Sequence, residues 1–509
     1  MSKELNELRS QGRKPEATST TSTDSVLSAD MTGHSPSALP ADDFDLAIET
    51  VEIGGIVIDA ETAIEAFRIF ASIFHSKLPV LVSLDINAIY QSSPFLFWTI
   101  IIIVASRVIV PSLEGLFNQI MGPFQDMRND PSWLYSGIAV NSALFLGLHR
   151  SGSPPPVSRG GYPGTPLERI MTWLGCFYVN GSLSMHLGLP VVLDNSSELA
   201  RVTTHLQEYP IPRDFAGEIK LQAIVTDFTN VLSNTSNDGT IDSSILHLLD
   251  RELDGLRSSY PDQWPRMLEY NTLVAKLHMY GLVISRDRVG NTSRDILLKL
   301  SFSTCLRIIH LANMRRDENL PESHGVPALE QQRANPKAYF KGLAFTTAFL
   351  LRYFSLNSTA SAEEQQLAAN HVVLSHTIFT SCSSGPNDEL GRVARMFEDL
   401  CQYGPMAIEA QQVAPGDRVG VVILVDAMKL ASRKRATGTT ANIEPPLLPN
   451  AQPITPDSSM SPLDAFGIPQ SFDPWSMDMI FSEQHWNDPT WDALNLPFME
   501  GQFPPRQTG

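Results

Sequence analysis

The residues that most often hold metal ions are scattered through this 509-residue chain. Its four cysteines are Cys176, Cys305, Cys382 and Cys401, and no two of them form the C-x2-C pair of a zinc knuckle. Close spacing matters because the thiolates must converge on one tetrahedral ion. We therefore predict four free thiols, buried or half-buried, in a reducing compartment, and no metal site in the chain.

The common catalytic signatures are also missing from the sequence. It has no G-x-x-x-x-G-K-[ST] loop for phosphates, no G-x-S-x-G elbow and no H-E-x-x-H pair. Its histidines, such as His149, His186 and His310, occur singly, and a single histidine on a helix is more often a core or surface residue than a ligand. We predict that the protein is not an enzyme and holds no cofactor. An enzyme or ligand carrier built on helices is the alternative, which no motif favours.

Composition limits the partners of the chain. Hydrophobic residues make up 43% of it, which is enough for one large core or two ordinary ones. The formal net charge of -18 repels phosphate backbones. The average surface therefore argues against tight binding of nucleic acid by this chain alone.

The C-terminal region, residues 436–509, alternates acidic and aromatic side chains. The acids keep the aromatics solvated, so that the aromatics can dock into apolar grooves of a coactivator. This composition predicts an acidic activation tail. The alternative is a tail that packs back on its own body, and the two are compatible. The predicted coactivator contacts are Phe472, Trp475, Phe481, Trp486, Trp491 and Phe498.

A short basic cluster precedes this region. It contains Lys429, Arg433, Lys434 and Arg435. These four charges are a weak candidate for a nuclear import signal. They equally fit the last turn of a helix, where cations complement the helix dipole.

The middle of the chain predicts an all-α fold. Apolar residues recur every three or four positions, as in Ile64, Phe67, Phe70 and Phe74, and period-two alternation is scarce. We predict a disordered segment over residues 1–45, a large helical domain over 46–435 and a disordered tail over 436–509.

Two helix starts are predicted from capping residues. Ser93 and Pro94 open the apolar run Phe95–Val110, and Thr165 with Glu168 forms a capping box. The run is shorter than the roughly 20 residues of a bilayer span. It also contains Arg107, so we predict a helix buried on all sides rather than a membrane segment. The N-terminus lacks the apolar region of a secretory signal.

Three stretches carry a resemblance to a known family. They are FRIFASIFHSKLPVL with YQSSPFLFWTIIIIVASR, WLYSGIAVNSALFLGLHRSG, and TPLERIMTWLGCFYVNGSLSMHLGLP. In order and spacing they resemble the regulatory, middle-homology domain of fungal binuclear zinc-cluster transcription factors, most like the leucine-biosynthesis regulator type. The resemblance implies a nuclear regulator of RNA polymerase II genes in a metabolic or secondary-metabolite pathway. It also implies coactivators, a homo- or heterodimer and a small-metabolite effector.

The sequence departs from that family at its N-terminus. The family places six cysteines, which hold two zinc ions and read DNA, before this domain. In this chain no cysteine precedes Cys176. The opening MSKELNELRS nevertheless resembles the segment that follows the zinc cluster in that family. Leu5 and Leu8 would then be the remnant of a dimer helix. Either the cluster is encoded upstream of Met1, or the protein lacks it and reaches DNA through a partner. Zinc is expected only in the first case.

Overall fold

The computed structural model describes the chain from Phe44 to Gln402, with gaps. The described ranges are 44–47, 49–53, 56–108, 132–150, 164–189, 191–193, 196–234, 243–284, 291–313, 328–357, 360–385 and 388–402. They consist almost entirely of helices, which confirms the all-α prediction.

A short hairpin that we did not predict opens the described part. Strands β1 (Thr50–Ile53) and β2 (Ile56–Asp59) are antiparallel, with Thr50 opposite Asp59. The hairpin leads directly into helix α1 (Ala60–Ile69), which continues as a π-helical turn over Phe70–His75. The Asp59 carboxylate accepts a hydrogen bond from the Thr62 backbone N–H at 2.7 Å, so this acid ends the strand and caps the helix.

Helices α2 (Ile86–Ser92) and α3 (Pro94–Arg107) complete the N-terminal part. The predicted start of α3 is confirmed, because the Ser93 hydroxyl accepts from the Leu96 backbone N–H at 3.3 Å. The prediction that α3 is buried on all sides is wrong. One side, with Phe97 and Ile101, is fully buried, but Phe95 is 84% exposed and other residues are half-buried.

Helices α4 (Ser132–Phe145) and α5 (Pro166–Leu187) pack against each other. The predicted capping box of α5 is confirmed. The Thr165 backbone N–H donates to Glu168 Oε2 at 2.6 Å, and the Glu168 N–H donates to Thr165 Oγ1 at 3.2 Å. The helix ends at Gly188, whose φ of 65° favours glycine.

The remaining helices form the C-terminal two thirds of the described chain. They are α6 (Ser196–Glu208), α7 (Arg213–Asn234), α8 (Ser243–Ser258), α9 (Arg266–Ile284), α10 (Asn291–Asn313), α11 (Ala328–Arg333), α12 (Lys337–Leu356), α13 (Ala362–Cys382) and α14 (Glu389–Gln402). Helix α9 is buried almost all round, from Leu268 to Ile284, because it lies among α7, α10 and α12. A helix that is covered on every side needs apolar residues on every side.

Within the described ranges, buried apolar side chains form three clusters. The first lies between the hairpin and helices α1 to α3, and contains Phe67 and Phe97. The second joins α4, α5, α6 and α7 around Trp173. The third and largest fills the space among α7 to α14, around Leu277, Tyr280 and Phe349. Helix α5 reaches from the second cluster to the third through Met185, which packs against the third.

Candidate functional site

The site residues predicted from the sequence lie outside the described part of the chain. This holds for the six tail aromatics, from Phe472 to Phe498, and for the basic cluster from Lys429 to Arg435. Their roles therefore stay predictions. The described body has three other features of interest, which are an open groove, a small cavity and an exposed apolar helix face.

The first place is an open groove between α6, α7 and α8, with a volume of about 380 Å³. Its apolar residues include Leu199, Ile224 and Phe228, while Asp227 and Glu252 bring two carboxylates to it. The groove has the volume of a small-molecule pocket. Two exposed carboxylates at the groove disfavour an acidic ligand.

The second place is a small interior cavity between α5, α7 and α9. Its volume of about 20 Å³ is enough for a single water molecule. Gln222 lines it and is 4% exposed, and its amide Nε2 has no hydrogen-bond partner among the described residues. A buried donor without a partner costs free energy, so we expect one water molecule to accept from this amide.

Two histidines lie close to this cavity. The rings of His186 and His278 are 5.5 Å apart, and His278 stacks on Phe345 at 3.9 Å with an angle of 4° between the planes. Burial, together with the neighbouring His278 and Lys341, holds the pKa of His186 well below its usual range. His186 is therefore neutral at pH 7 and belongs to the core. His149 is also buried, whereas His310 is exposed.

The third place is the outer face of α4, which consists of Leu134, Tyr135, Ile138 and Phe145. All four large apolar side chains are exposed, because α4 packs on α5 through its opposite side. The sequence contains a sign of this apolar surface, since α4 has no charged residue.

One buried carboxyl was also missed by the sequence reasoning. Glu218 on α7 is 8% exposed, and the Asn271 amide Nδ2 donates to both of its oxygens at 2.9 and 3.0 Å. Burial raises the pKa of Glu218 to about 7, the Asn271 hydrogen bonds lower it, and nearby Asp214 raises it further. The sequence feature that could have revealed this buried carboxyl is a polar residue next to Ile219, on the side of α7 that faces the core.

The four cysteines are free thiols that are buried or half-buried, as predicted. Burial raises the pKa of each, to about 11 for Cys382 and about 12 for Cys401, so all four stay protonated at neutral pH. Within the ranges that the structure describes, no three His, Cys, Asp or Glu side chains converge to hold a metal ion. Among the same residues, no helix has the length and hydropathy that a bilayer span needs.

Sequence comparison shows that the chain is homologous to fungal transcription regulators of the zinc-cluster type. One relative is the transcriptional regulatory protein SEF1 of Candida albicans, 27% identical over 398 residues, which are 68% of this chain and 41% of the relative. Another is the regulatory protein LEU3 of Saccharomyces cerevisiae, 22% identical over 303 residues, which are 48% of this chain and 34% of the relative.

These relatives confirm the resemblance predicted from the sequence, including its likeness to the leucine-regulator type. The chain spans less than half the length of these curated relatives. No protein-family model matches the chain, and no solved structure matches it.

Proposed function

We propose that this chain is the regulatory and activating body of a nuclear transcription regulator that controls RNA polymerase II genes in a fungus. The observation that carries the proposal is the homology of about two thirds of the chain to a protein named as a transcriptional regulator. The absence of catalytic motifs from the sequence is consistent with a regulatory rather than an enzymatic role.

The proposed mechanism has three parts. DNA is read by a zinc cluster that is encoded upstream or carried by a partner. The helical body receives a signal from a small metabolite or a protein, and the groove of α6, α7 and α8 has the size for such a ligand. The tail, residues 436–509, then recruits coactivators through its aromatic side chains. The controlled pathway is proposed to be metabolic, in primary or secondary metabolism.

The alternative is a co-regulator that makes no contact with DNA and acts through a zinc-cluster partner. The net charge of -18 and the isolated cysteines favour it for the chain taken alone. Genomic sequence upstream of Met1 separates the two proposals. An in-frame six-cysteine segment there would support direct DNA reading, and an upstream region interrupted by stop codons would remove DNA reading through zinc from this chain and leave the co-regulator.

The activation tail is tested by tethering it to DNA. Residues 436–509 fused to an unrelated DNA-binding domain are expected to raise reporter expression by about tenfold or more over the domain alone. Changing Trp475, Trp486 and Trp491 together to Ala should remove most of that increase, because aromatic anchors supply most of the energy of such contacts.

A matched control for this experiment changes Ser458, Ser459 and Ser461 to Ala in the same fusion, which keeps every acid and aromatic residue. We expect this fusion to activate like the unchanged tail. Equal activity of the triple-Trp variant and the unchanged tail would show that the aromatics do not recruit the transcription machinery.

A further inference from the structure

We propose that residues 77–80, called the latch below, fasten the N-terminal subdomain to the rest of the described body, and that this subdomain opens from the body as one piece. The N-terminal subdomain consists of the β1–β2 hairpin and helices α1 to α3. It has a core of its own, in which Phe67 and Phe97 are completely buried. Its helices and strands pack chiefly on one another. A part of the chain that has its own core can move without losing that core.

The latch binds the body through one charged side chain. The Lys77 ammonium nitrogen Nζ donates to the Ala334 carbonyl oxygen at 2.9 Å and to Asn335 Oδ1 at 3.0 Å. Ala334 lies 257 residues further along the chain, in the link between α11 and α12. The same residue is 3% exposed and belongs to the N-terminal cluster. Because a charged donor makes the stronger kind of hydrogen bond, Lys77 holds this link against the N-terminal subdomain.

The latch also brings two aliphatic side chains to the body. Leu78 packs against the cluster around Trp173. Val80 lies directly over Gly175 of α5, so closely that a Cβ atom added to Gly175 would overlap Val80 Cγ1. Both aliphatic side chains remain half-buried. The contact is therefore close but small beside the cores on its two sides, and a small interface within a chain permits relative motion.

The latch is held in shape by its own contacts. It follows the π-helical turn Phe70–His75, and π-helical turns within α-helices are frequent at functional sites. His75 Nε2 donates to the Leu81 carbonyl oxygen at 2.8 Å, so this ring ties the two ends of the latch together. The Val80 backbone N–H donates to the Leu78 carbonyl oxygen at 2.8 Å. We therefore expect the latch to leave the body together with the N-terminal subdomain.

Opening at the latch costs less free energy than melting the N-terminal subdomain. Opening breaks the hydrogen bonds of Lys77 and the contacts of two half-buried aliphatic side chains. Melting would also expose Phe67, Phe97 and Ile101, which are completely buried. It would remove far more apolar area from its cover. The body thus has a closed and an open state, and a ligand or partner that binds one of them better shifts the equilibrium toward it.

The experiment measures opening by thiol labelling of the full chain that carries Ala334→Cys. Ala334 is buried between the N-terminal subdomain and the body, so a thiol at this position reacts when the subdomain opens. We expect Lys77→Met to speed labelling there by at least about tenfold, because Met keeps an apolar side chain but donates no hydrogen bond. Native Cys305 is completely buried among the C-terminal helices and should keep its rate, as peptide mass spectrometry will show.

Gly175 tests the fit of Val80 to α5. Gly175→Ala should also speed labelling, because the added methyl group displaces Val80. In a chain that already carries Val80→Ala, the further change Gly175→Ala should alter the rate by less than about twofold, since the overlapping Cγ1 atom is gone. Gly255→Ala is the matched control. A Cβ atom added at Gly255 on α8 meets no atom within 4 Å, so the labelling rate should stay unchanged.

An unchanged labelling rate in Lys77→Met or in Gly175→Ala would overturn the proposal. Hydrogen exchange of the same chains separates opening from melting, since the amides of α3 around Phe97 should exchange as slowly as before. Faster exchange there would show that the subdomain melts, and would overturn the proposal as well. If circular dichroism shows that Ala334→Cys does not fold, hydrogen exchange at the latch in Lys77→Met alone decides, and no acceleration there contradicts the latch. The measurements use no DNA and no reporter, so their failure leaves the proposed function standing.

Discussion

Phe97→Ala is expected to lower the free energy of unfolding by about 3–5 kcal/mol. Phe97 is completely buried, and its ring lies 5.4 Å from Phe67, 5.0 Å from Tyr90 and 5.7 Å from Trp98. Removing the ring leaves a cavity at the centre of the N-terminal cluster, because close-packed neighbours collapse only in part. Urea unfolding followed by circular dichroism measures the change.

Phe95→Ala is the matched control on the same helix. Phe95 is the same residue type two positions away and is 84% exposed, so its loss should change the free energy of unfolding by less than about 0.5 kcal/mol. Similar costs for the two substitutions would mean that α3 is covered on all sides, as we predicted from the sequence, and would contradict the packing described here.

Glu218→Gln is expected to stabilise the protein at pH 8 and to have little effect at pH 4.5. The pKa of Glu218 is about 7 in the folded chain, above the ordinary value of 4.5 that it has in the unfolded chain. Between pH 4.5 and pH 7, Glu218 is protonated in the folded chain and ionised in the unfolded chain. The contribution of Glu218 to stability is therefore highest below pH 4.5 and falls as the pH rises to 7. The shift corresponds to about 3 kcal/mol.

At pH 8 we expect Glu218→Gln to raise the free energy of unfolding by about 1–3 kcal/mol, somewhat less than the value of about 3 kcal/mol that corresponds to the full pKa shift. The Asn271 amide donates to both carboxylate oxygens of Glu218. In Glu218→Gln one of these two hydrogen bonds is lost, because only one of the two terminal atoms of a Gln amide can accept. Unfolding curves at pH 4.5 and 8 provide the measurement. The exposed Glu252→Gln serves as control and should change stability by less than about 0.5 kcal/mol at either pH. An effect of Glu218→Gln that is equal at both pH values would show that the fold does not raise the pKa of Glu218.

Local signals in the sequence predicted the helices well. Ser93 and Thr165 cap their helices as expected, since a cap depends on residues only three positions apart. The hairpin β1–β2 was missed because each strand has only four residues, too few to show a clear alternation.

Burial was harder to predict, because it depends on how many neighbours cover a helix. Helices α4 and α9 are both largely apolar, yet α9 is surrounded almost completely while α4 is covered on one side. Periodicity describes the helix itself and not its neighbours, so it cannot separate a helix that is surrounded from one that is covered on one side. Glu218 escaped notice for the same reason, since a single carboxyl between apolar positions does not show whether another helix covers it.

The central claim is that this chain acts at promoters. The most direct test is chromatin immunoprecipitation with sequencing of the epitope-tagged chain in its own host, with transcript profiling of a deletion strain beside it. We predict discrete promoter peaks, with altered transcription of the neighbouring genes in the deletion strain. Both direct DNA reading and action through a zinc-cluster partner give this result. A genome-wide profile without promoter enrichment, together with unchanged transcripts, would contradict the account.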